Sequence, residues 1–263
     1  RSEMCIRDRG DGMKDLRTPA EITDFVSDLS VKKATYKPTT TRILASFAGM
    51  FIAIGGAASS KINVLMADSP FKSIAAALSF TIGIVLVLIA GGELFTGNVL
   101  ISVGFLDKKI NIKQVLTNWL RVWCWNFVGA IFFSLLTYVV IKGNPKDVEF
   151  FQNILLKKTS LGFFHAMISG ILCNILVCLS VWMSFATSEG PGKFLLSAFP
   201  VFIFVLLGYE HVVANMFYIT IAYLSGGSVP ILTTIVNSFI PVTIGNIIGG
   251  CIIGSAYKTA YKN

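Results

Sequence analysis

The sequence predicts an all-α integral membrane protein, and three observations carry that prediction. Hydrophobic residues make up 54% of the 263 and charged residues only 14%, against roughly 25% charged in a soluble domain. Several uncharged apolar stretches approach or exceed the ~20 residues that a helix needs to cross a ~30 Å hydrocarbon core, and none shows the ~10-residue alternation of a porin strand. Two of the stretches are interrupted by carboxylate, Asn and Gly at membrane depth.

Taken in chain order, Arg1 to Gly10 has dense, unpatterned charge and no apolar signal-peptide core, so residues 1–17 read as a disordered or non-native segment. Thr18-Pro19-Ala20-Glu21 places a cap residue, Pro at the first helical position and Glu at the third. Ile22, Phe25, Val26 and Leu29 follow at helical spacing. The segment 18–36 is therefore an amphipathic helix along the membrane face. A six-span domain occupies 37–257, with hydrophobic units at roughly 43–60, 74–106, 115–141, 160–187, 194–224 and 239–257, and a short tail at 258–263.

The net charge of +8 does not indicate nucleic-acid binding, because the basic residues are spread over termini and loops. Sixteen of the 22 Lys and Arg fall on the side that holds both termini. Positive-inside reasoning therefore makes both termini cytoplasmic in a multi-pass protein of the cell inner (plasma) membrane. Cys124, Cys173, Cys178 and Cys251 lie in apolar segments without zinc-site spacing and read as small core residues. No metal or cofactor motif is present in the sequence.

The interruptions are related. Gly91-Gly92-Glu93-Leu94-Phe95-Thr96-Gly97-Asn98 and Gly208-Tyr209-Glu210-His211-Val212-Val213-Ala214-Asn215 both read G-x-E-x-x-x-x-N, offset by 117. Asn126-x-x-Gly129 matches Asn246-x-x-Gly249 at 120, and Ala45-x-x-x-Gly49 matches Ala166-x-x-x-Gly170 at 121. The matches predict two three-helix repeats, 43–141 and 160–257. An odd number of crossings per repeat inverts one against the other, so helices 2 and 5 are broken and enter from opposite faces, in an aquaporin-like architecture. Paired broken helices mark a transport site near the midplane. Glu93 and Glu210 are expected to accept hydrogen bonds from the freed N–H groups. Gly97 is expected to permit the turn, and Asn98 and Asn215 complete the breaks.

These residues resemble the formate/nitrite transporter family of pentameric anion channels. Gly91 to Gly97 is similar to its first signature. Gly170-Ile171-Leu172-Cys173-Asn174-Ile175-Leu176-Val177-Cys178-Leu179 is similar to its second, which here continues with Ser180 where Ala is usual. Glu210-His211 with Ala214-Asn215-Met216 resembles the central-histidine segment, and Pro241 to Asn246 the start of the last helix. The resemblance spans about Thr18 to Tyr257. It implies a homopentamer with a narrow pore in each protomer and one histidine between two apolar constrictions. Leu94 would line the cytoplasmic constriction, and Phe80 and Phe204 would form apolar rings. Thr96 and Asn174 would be polar neighbours of His211, and Lys158 a cationic attractor in the outer vestibule. Formate is the implied substrate, with nitrite, hydrosulfide, acetate or lactate as alternatives.

Apart from the family, His211 is the only histidine beside a break, and an intramembrane ionisable group commonly marks a proton or substrate path. His165 lacks that setting and reads as packing or vestibule lining. A bare carboxylate entering a Leu/Phe ring loses its hydration, whereas the protonated acid is a small neutral molecule. The expected function is therefore a channel for a small weak-acid anion that exchanges a proton at His211. In an alternative, His211 stays neutral and offers only a hydrogen bond. A water or glycerol channel would need paired Asn-Pro-Ala turns, and an ammonium channel two pore histidines. A membrane enzyme built on Glu210 and His211 would need a nucleophile, metal set or cofactor loop that the sequence does not show.

Overall fold

A computed structural model describes residues 16–262. Most of the expected 1–17 segment lies outside the described residues. Ten helices follow: α1 (Pro19–Ala34), α2 (Pro38–Leu65), α3 (Lys72–Gly91), α4 (Phe95–Leu106), α5 (Ile112–Ile141), α6 (Pro145–Thr159), α7 (Phe163–Ser184), α8 (Gly190–Leu206), α9 (Val212–Leu224) and α10 (Ile231–Tyr261). Helices α2, α3, α5, α7 and α10 are long and apolar enough to cross a membrane, while α4, α8 and α9 are shorter apolar helices. The breaks fall between α3 and α4 and between α8 and α9.

Close backbone approach sets the packing of the two main helix pairs, α2 with α5 and α7 with α10. A Cβ on Gly129 would overlap the Ser46 carbonyl oxygen, and one on Gly249 would overlap that of Ile171. Small residues at such contacts let helices approach without a side-chain spacer. These two contacts revise the sequence alignment of the repeats. Ser46 corresponds to Ile171 and Ala45 to Gly170, an offset of 125, so the match of Ala45 to Ala166 is off by one helical turn.

α1 starts with the expected capping box, in which Thr18 Oγ1 accepts from the Glu21 N–H and the Glu21 carboxylate accepts from the Thr18 N–H. Its Ile22 and Val26 pack against Leu100, Val103, Val181 and Trp182, which docks α1 on one end of the bundle. α6 was not foreseen. It is polar on average, starts with Asn144 accepting from the Lys146 N–H, and docks through Phe151 and Leu155.

Ion pairs tie α1 to the end of α10, which reaches Tyr261 and so takes in most of the expected 258–263 tail. Asp107 accepts from Ser27 Oγ and lies 2.8 Å from Lys262 Nζ, and Lys262 also pairs with Asp24 at 2.9 Å. Burial pushes the Asp107 carboxyl up, but Lys262, Ser27 and Lys258 outweigh it and hold it below the usual carboxylate range. The Asp107 bonds raise the Lys262 ammonium above the usual lysine value. A lowered carboxylate stabilises the docked α1 above its unfolded value of ~3.9, and that contribution is lost as pH falls through the lowered value. The lysine contribution is lost only as pH rises through its raised value. The tie should therefore hold across neutral pH and loosen toward both extremes. Asp107→Asn should raise amide exchange in α1 at pH 7 several-fold without changing exchange in α7, as hydrogen–deuterium exchange would show.

Candidate functional site

The site grows from the two breaks. Gly91 (φ 97°) and Gly208 (φ 72°) end α3 and α8 in the left-handed region, where a Cβ is disfavoured. The turn thus belongs to Gly91 rather than to Gly97, which instead packs tightly against Val181. Leu94 and His211 then stand as N-cap residues of α4 and α9.

Two buried asparagines satisfy the freed backbone. Asn126 Oδ1 accepts from the Phe95 N–H at 2.9 Å, while its Nδ2 donates to the carbonyls of Glu93 (2.9 Å) and Ala45 (2.8 Å). Asn246 repeats the pattern: Oδ1 accepts from the Val212 N–H (2.9 Å), and Nδ2 donates to Glu210 O (3.1 Å) and Gly170 O (2.8 Å). The sequence pattern assigns this task to Glu93 and Glu210, and the structure corrects that expectation.

The two carboxylates pair with side chains instead. Glu93 Oε1 lies 2.7 Å from Lys33 Nζ, and its Oε2 accepts from Asn98 Nδ2 at 2.7 Å; Lys33 also donates to Asn98 Oδ1. Glu210 takes both oxygens to Lys158 Nζ, at 2.9 and 3.1 Å, and accepts from Asn215 Nδ2 at 2.7 Å. Lys158 is thus a partner of Glu210 rather than a free attractor. Lys33 escapes a sequence reading because α1 looks like a surface helix. A signal for it is present all the same: Lys32-Lys33 stands 125 residues before Lys157-Lys158, the same offset that the α2/α7 contacts obey.

The breaks meet at Thr96 Oγ1 and His211 Nε2, 2.8 Å apart and both buried. His211 Nδ1 accepts the Ala214 N–H at 3.1 Å, so Nδ1 carries no proton and Nε2 is the donor to Thr96. Asn174 does not reach His211. Its Nδ2 donates to the carbonyls of Thr96 (3.2 Å) and Asn246 (2.5 Å), which holds Thr96 in place. Phe204 lies beside the imidazole, ring centroids 5.8 Å apart, and Phe80 meets Phe204 edge-on at 5.9 Å. His165 is exposed, away from this layer.

Two cavities approach the layer. One of about 240 Å³ on the α1 face is lined by Lys33, Tyr36, Glu93, Leu94 and Asn98. The other, about 360 Å³ on the α6 face, is lined by Phe80, Lys158, Phe204, Glu210 and His211 among others. Among the described residues none lines both, so Leu94 closes one cavity and His211 with the two phenylalanines closes the other.

Polar cavities at two helix breaks, closed against each other by apolar side chains and one histidine, define a membrane transport protein. The chain belongs to the formate/nitrite transporter family, which it matches over residues 20–260. It is 34% identical to "Uncharacterized transporter YrhG" of Bacillus subtilis, over 93% of this chain and 94% of that one. It is 33% identical to "Formate channel FocA" of Escherichia coli, over 96% and 97%. Among solved structures it is similar to "Pentameric formate channel with formate bound", with TM-score 0.75, 29% identity and 86% and 98% coverage. It is also similar to an "FNT family ion channel", with TM-score 0.84, 29% identity and 91% and 98% coverage. The protein is therefore a formate/nitrite-type anion channel of the membrane rather than an enzyme.

Breaking one of the buried pairs should cost more than removing it. Lys158→Met leaves Glu210 charged and unpaired and should destabilise by about 3–5 kcal/mol. Adding Glu210→Gln should recover much of that loss, as thermal melts of the detergent-solubilised variants would show.

Proposed function

We propose that the protein is a formate channel of the cell inner membrane with both termini in the cytoplasm, built as a homopentamer with one path through each protomer. The relatives named for formate support the substrate, and the likeness to a pentameric formate channel supports the assembly. The recurring asparagine bridges and the Lys–Glu–Asn sets support two inverted repeats, α2 to α5 and α7 to α10, which cross six times when α3–α4 and α8–α9 each count as one span. The excess of Lys and Arg at the α1 face supports its cytoplasmic assignment.

The Thr96–His211 contact between the cavities carries the mechanism. An anion in either vestibule meets a polar, ion-paired wall and then an apolar layer in which bare charge is disfavoured. Among the described residues the polar donors in that layer are His211 Nε2–H and the Thr96 hydroxyl bonded to it. Proton exchange there carries the substrate across as the neutral acid. For the imidazole to stay neutral, Nδ1 takes up a proton from solvent as Nε2 gives its own to the anion, which requires the Ala214 N–H to let go and so couples exchange to the first turn of α9. The same Nδ1 cap favours a second reading, in which His211 stays neutral and the anion passes as an anion on the Nε2–H hydrogen bond alone.

Proteoliposome flux separates the two readings. Under proton exchange, formate entry follows an imposed pH gradient and carries little current, and His211→Asn loses the pH dependence while slowing flux at least tenfold, the order of a general acid–base contribution. Flux of His211→Asn equal to wild type, with the same pH profile, would remove the histidine from the mechanism. Large currents that follow the formate gradient would select the second reading. Nitrite, hydrosulfide, acetate and lactate run side by side with formate test the substrate assignment.

A further inference from the structure

The outer face formed by α2 and α5 carries two arginines that the permeation path does not use. Arg42 lies in the second turn of α2 and Arg121 nine residues into α5, and both are exposed. The Arg42 guanidinium carbon lies 5.8 Å from the centre of the Trp125 ring. Trp125 follows Arg121 by four residues and so shares its side of α5. The bridge from Asn126 to Ala45 holds α2 and α5 in this register. The Arg42 guanidinium thus lies over an indole that stands on the Arg121 side of α5.

Neither arginine is satisfied within the chain. Among the described residues, neither guanidinium makes a hydrogen bond or has a carboxylate within 4 Å, whereas Lys33, Lys61, Lys109, Lys158 and Lys262 all pair with one. Their surroundings face lipid: Ile43 and Phe47 on α2, and Leu120 and Val128 on α5, are exposed large apolar residues. Depth follows from helix length. α5 has 30 residues, about 45 Å of helix, which exceeds a ~30 Å core by about 15 Å. With the excess at the start of α5, where Lys113 stands, Arg121, about 13 Å along, falls at the edge of the hydrocarbon, where tryptophan also prefers to sit.

The membrane helices of a second copy offer no carboxylate to this face. None of α2, α3, α4, α5, α7, α8, α9 or α10 contains Asp or Glu. Glu93 and Glu210, in the breaks, are buried and paired. What the bilayer does place at its edge is the phosphate of a phospholipid, whose geometry matches a guanidinium fork.

We propose that Arg42, Arg121 and Trp125 form a site for the headgroup phosphate of an anionic phospholipid, in the leaflet on the α1 face. The acyl chains lie on the apolar surface of α2 and α5, and the lipid locks these two helices together from outside, as Asn126 does from inside.

The purified full-length protein in mixed phosphatidylglycerol/phosphatidylcholine nanodiscs, with retained lipid counted by native mass spectrometry, tests this. Wild type should retain phosphatidylglycerol over phosphatidylcholine by roughly tenfold or more, given two cations at the surface. Arg42→Gln with Arg121→Gln should bring the ratio near one, and the paired Lys variants should keep part of the preference. Formate flux should be unchanged in properly folded variants. An undiminished preference in the Gln pair overturns the proposal. So does competition by millimolar inorganic phosphate, which would make this a free-anion site, and so does loss of the assembly with lipid preference intact. Should the Gln pair not fold, Arg121→Gln alone decides by the same ratio.

Discussion

A helix cannot be interrupted inside a membrane unless the freed N–H and C=O groups find partners within the protein, because lipid provides none. That constraint organises this structure. At each break one asparagine side chain, Asn126 or Asn246, uses two donors and one acceptor to join the broken backbone to a carbonyl of the neighbouring helix. The amide can reach because Gly129 and Gly249, one turn further along the same helices, let the backbones come close. Break, bridge and glycine contact form one unit, and the unit occurs twice.

The buried carboxylates follow from the same need to satisfy polar groups. Once the asparagines have satisfied the backbone, Glu93 and Glu210 are free to hold a lysine each. An isolated carboxylate at such depth would be far from its preferred medium, and the short bonds to Lys33 and Lys158, with further bonds from Asn98 and Asn215, compensate for lost hydration. In the walls of the two cavities these carboxylates and lysines are thereby paired, while among the described residues Lys157 at the α6-side cavity has no carboxylate partner.

What could be read from the sequence divides along a physical line. The breaks, their relation at offset 117 and the capping box at Thr18 follow from local patterns, which residue spacing preserves, whereas the nearness of Thr96 to His211 is implied by the family resemblance. Three things depended on contacts between distant segments. Lys33 reaches Glu93 across 60 residues from a helix that looks like a surface helix. α6 has too little apolar character to stand out, although it delivers Lys158. The α2/α7 alignment slipped by a turn because Ala and Gly recur every few residues in membrane helices, so composition alone does not fix register. The expectation that glutamate caps the break failed for a related reason: an amide that both donates and accepts serves mixed N–H and C=O partners, which a carboxylate does not.

Among the side chains that differ between the two breaks and their neighbouring helices, two matter where the halves touch. Leu94 and His211 hold the same place, the N-cap of the second half-helix, yet one is apolar and the other an imidazole. Gly49 and Asn174 likewise correspond at the offset of 125. Glycine there lets α2 press on Asn126, whereas Asn174 extends to the carbonyls of Thr96 and Asn246. A strict duplication would place two histidines or two leucines at the centre. Here the α1-side cavity ends on Leu94 and the α6-side cavity ends on His211, with Thr96 of the opposite half bonded to the imidazole and held in turn by Asn174. The duplicated backbone makes the two cavities alike, and these two positions make their inner ends chemically different. On the proposed path, a substrate coming from the α6 face would meet the hydrogen-bond donor first, while one coming from the α1 face would first pass the apolar side chain.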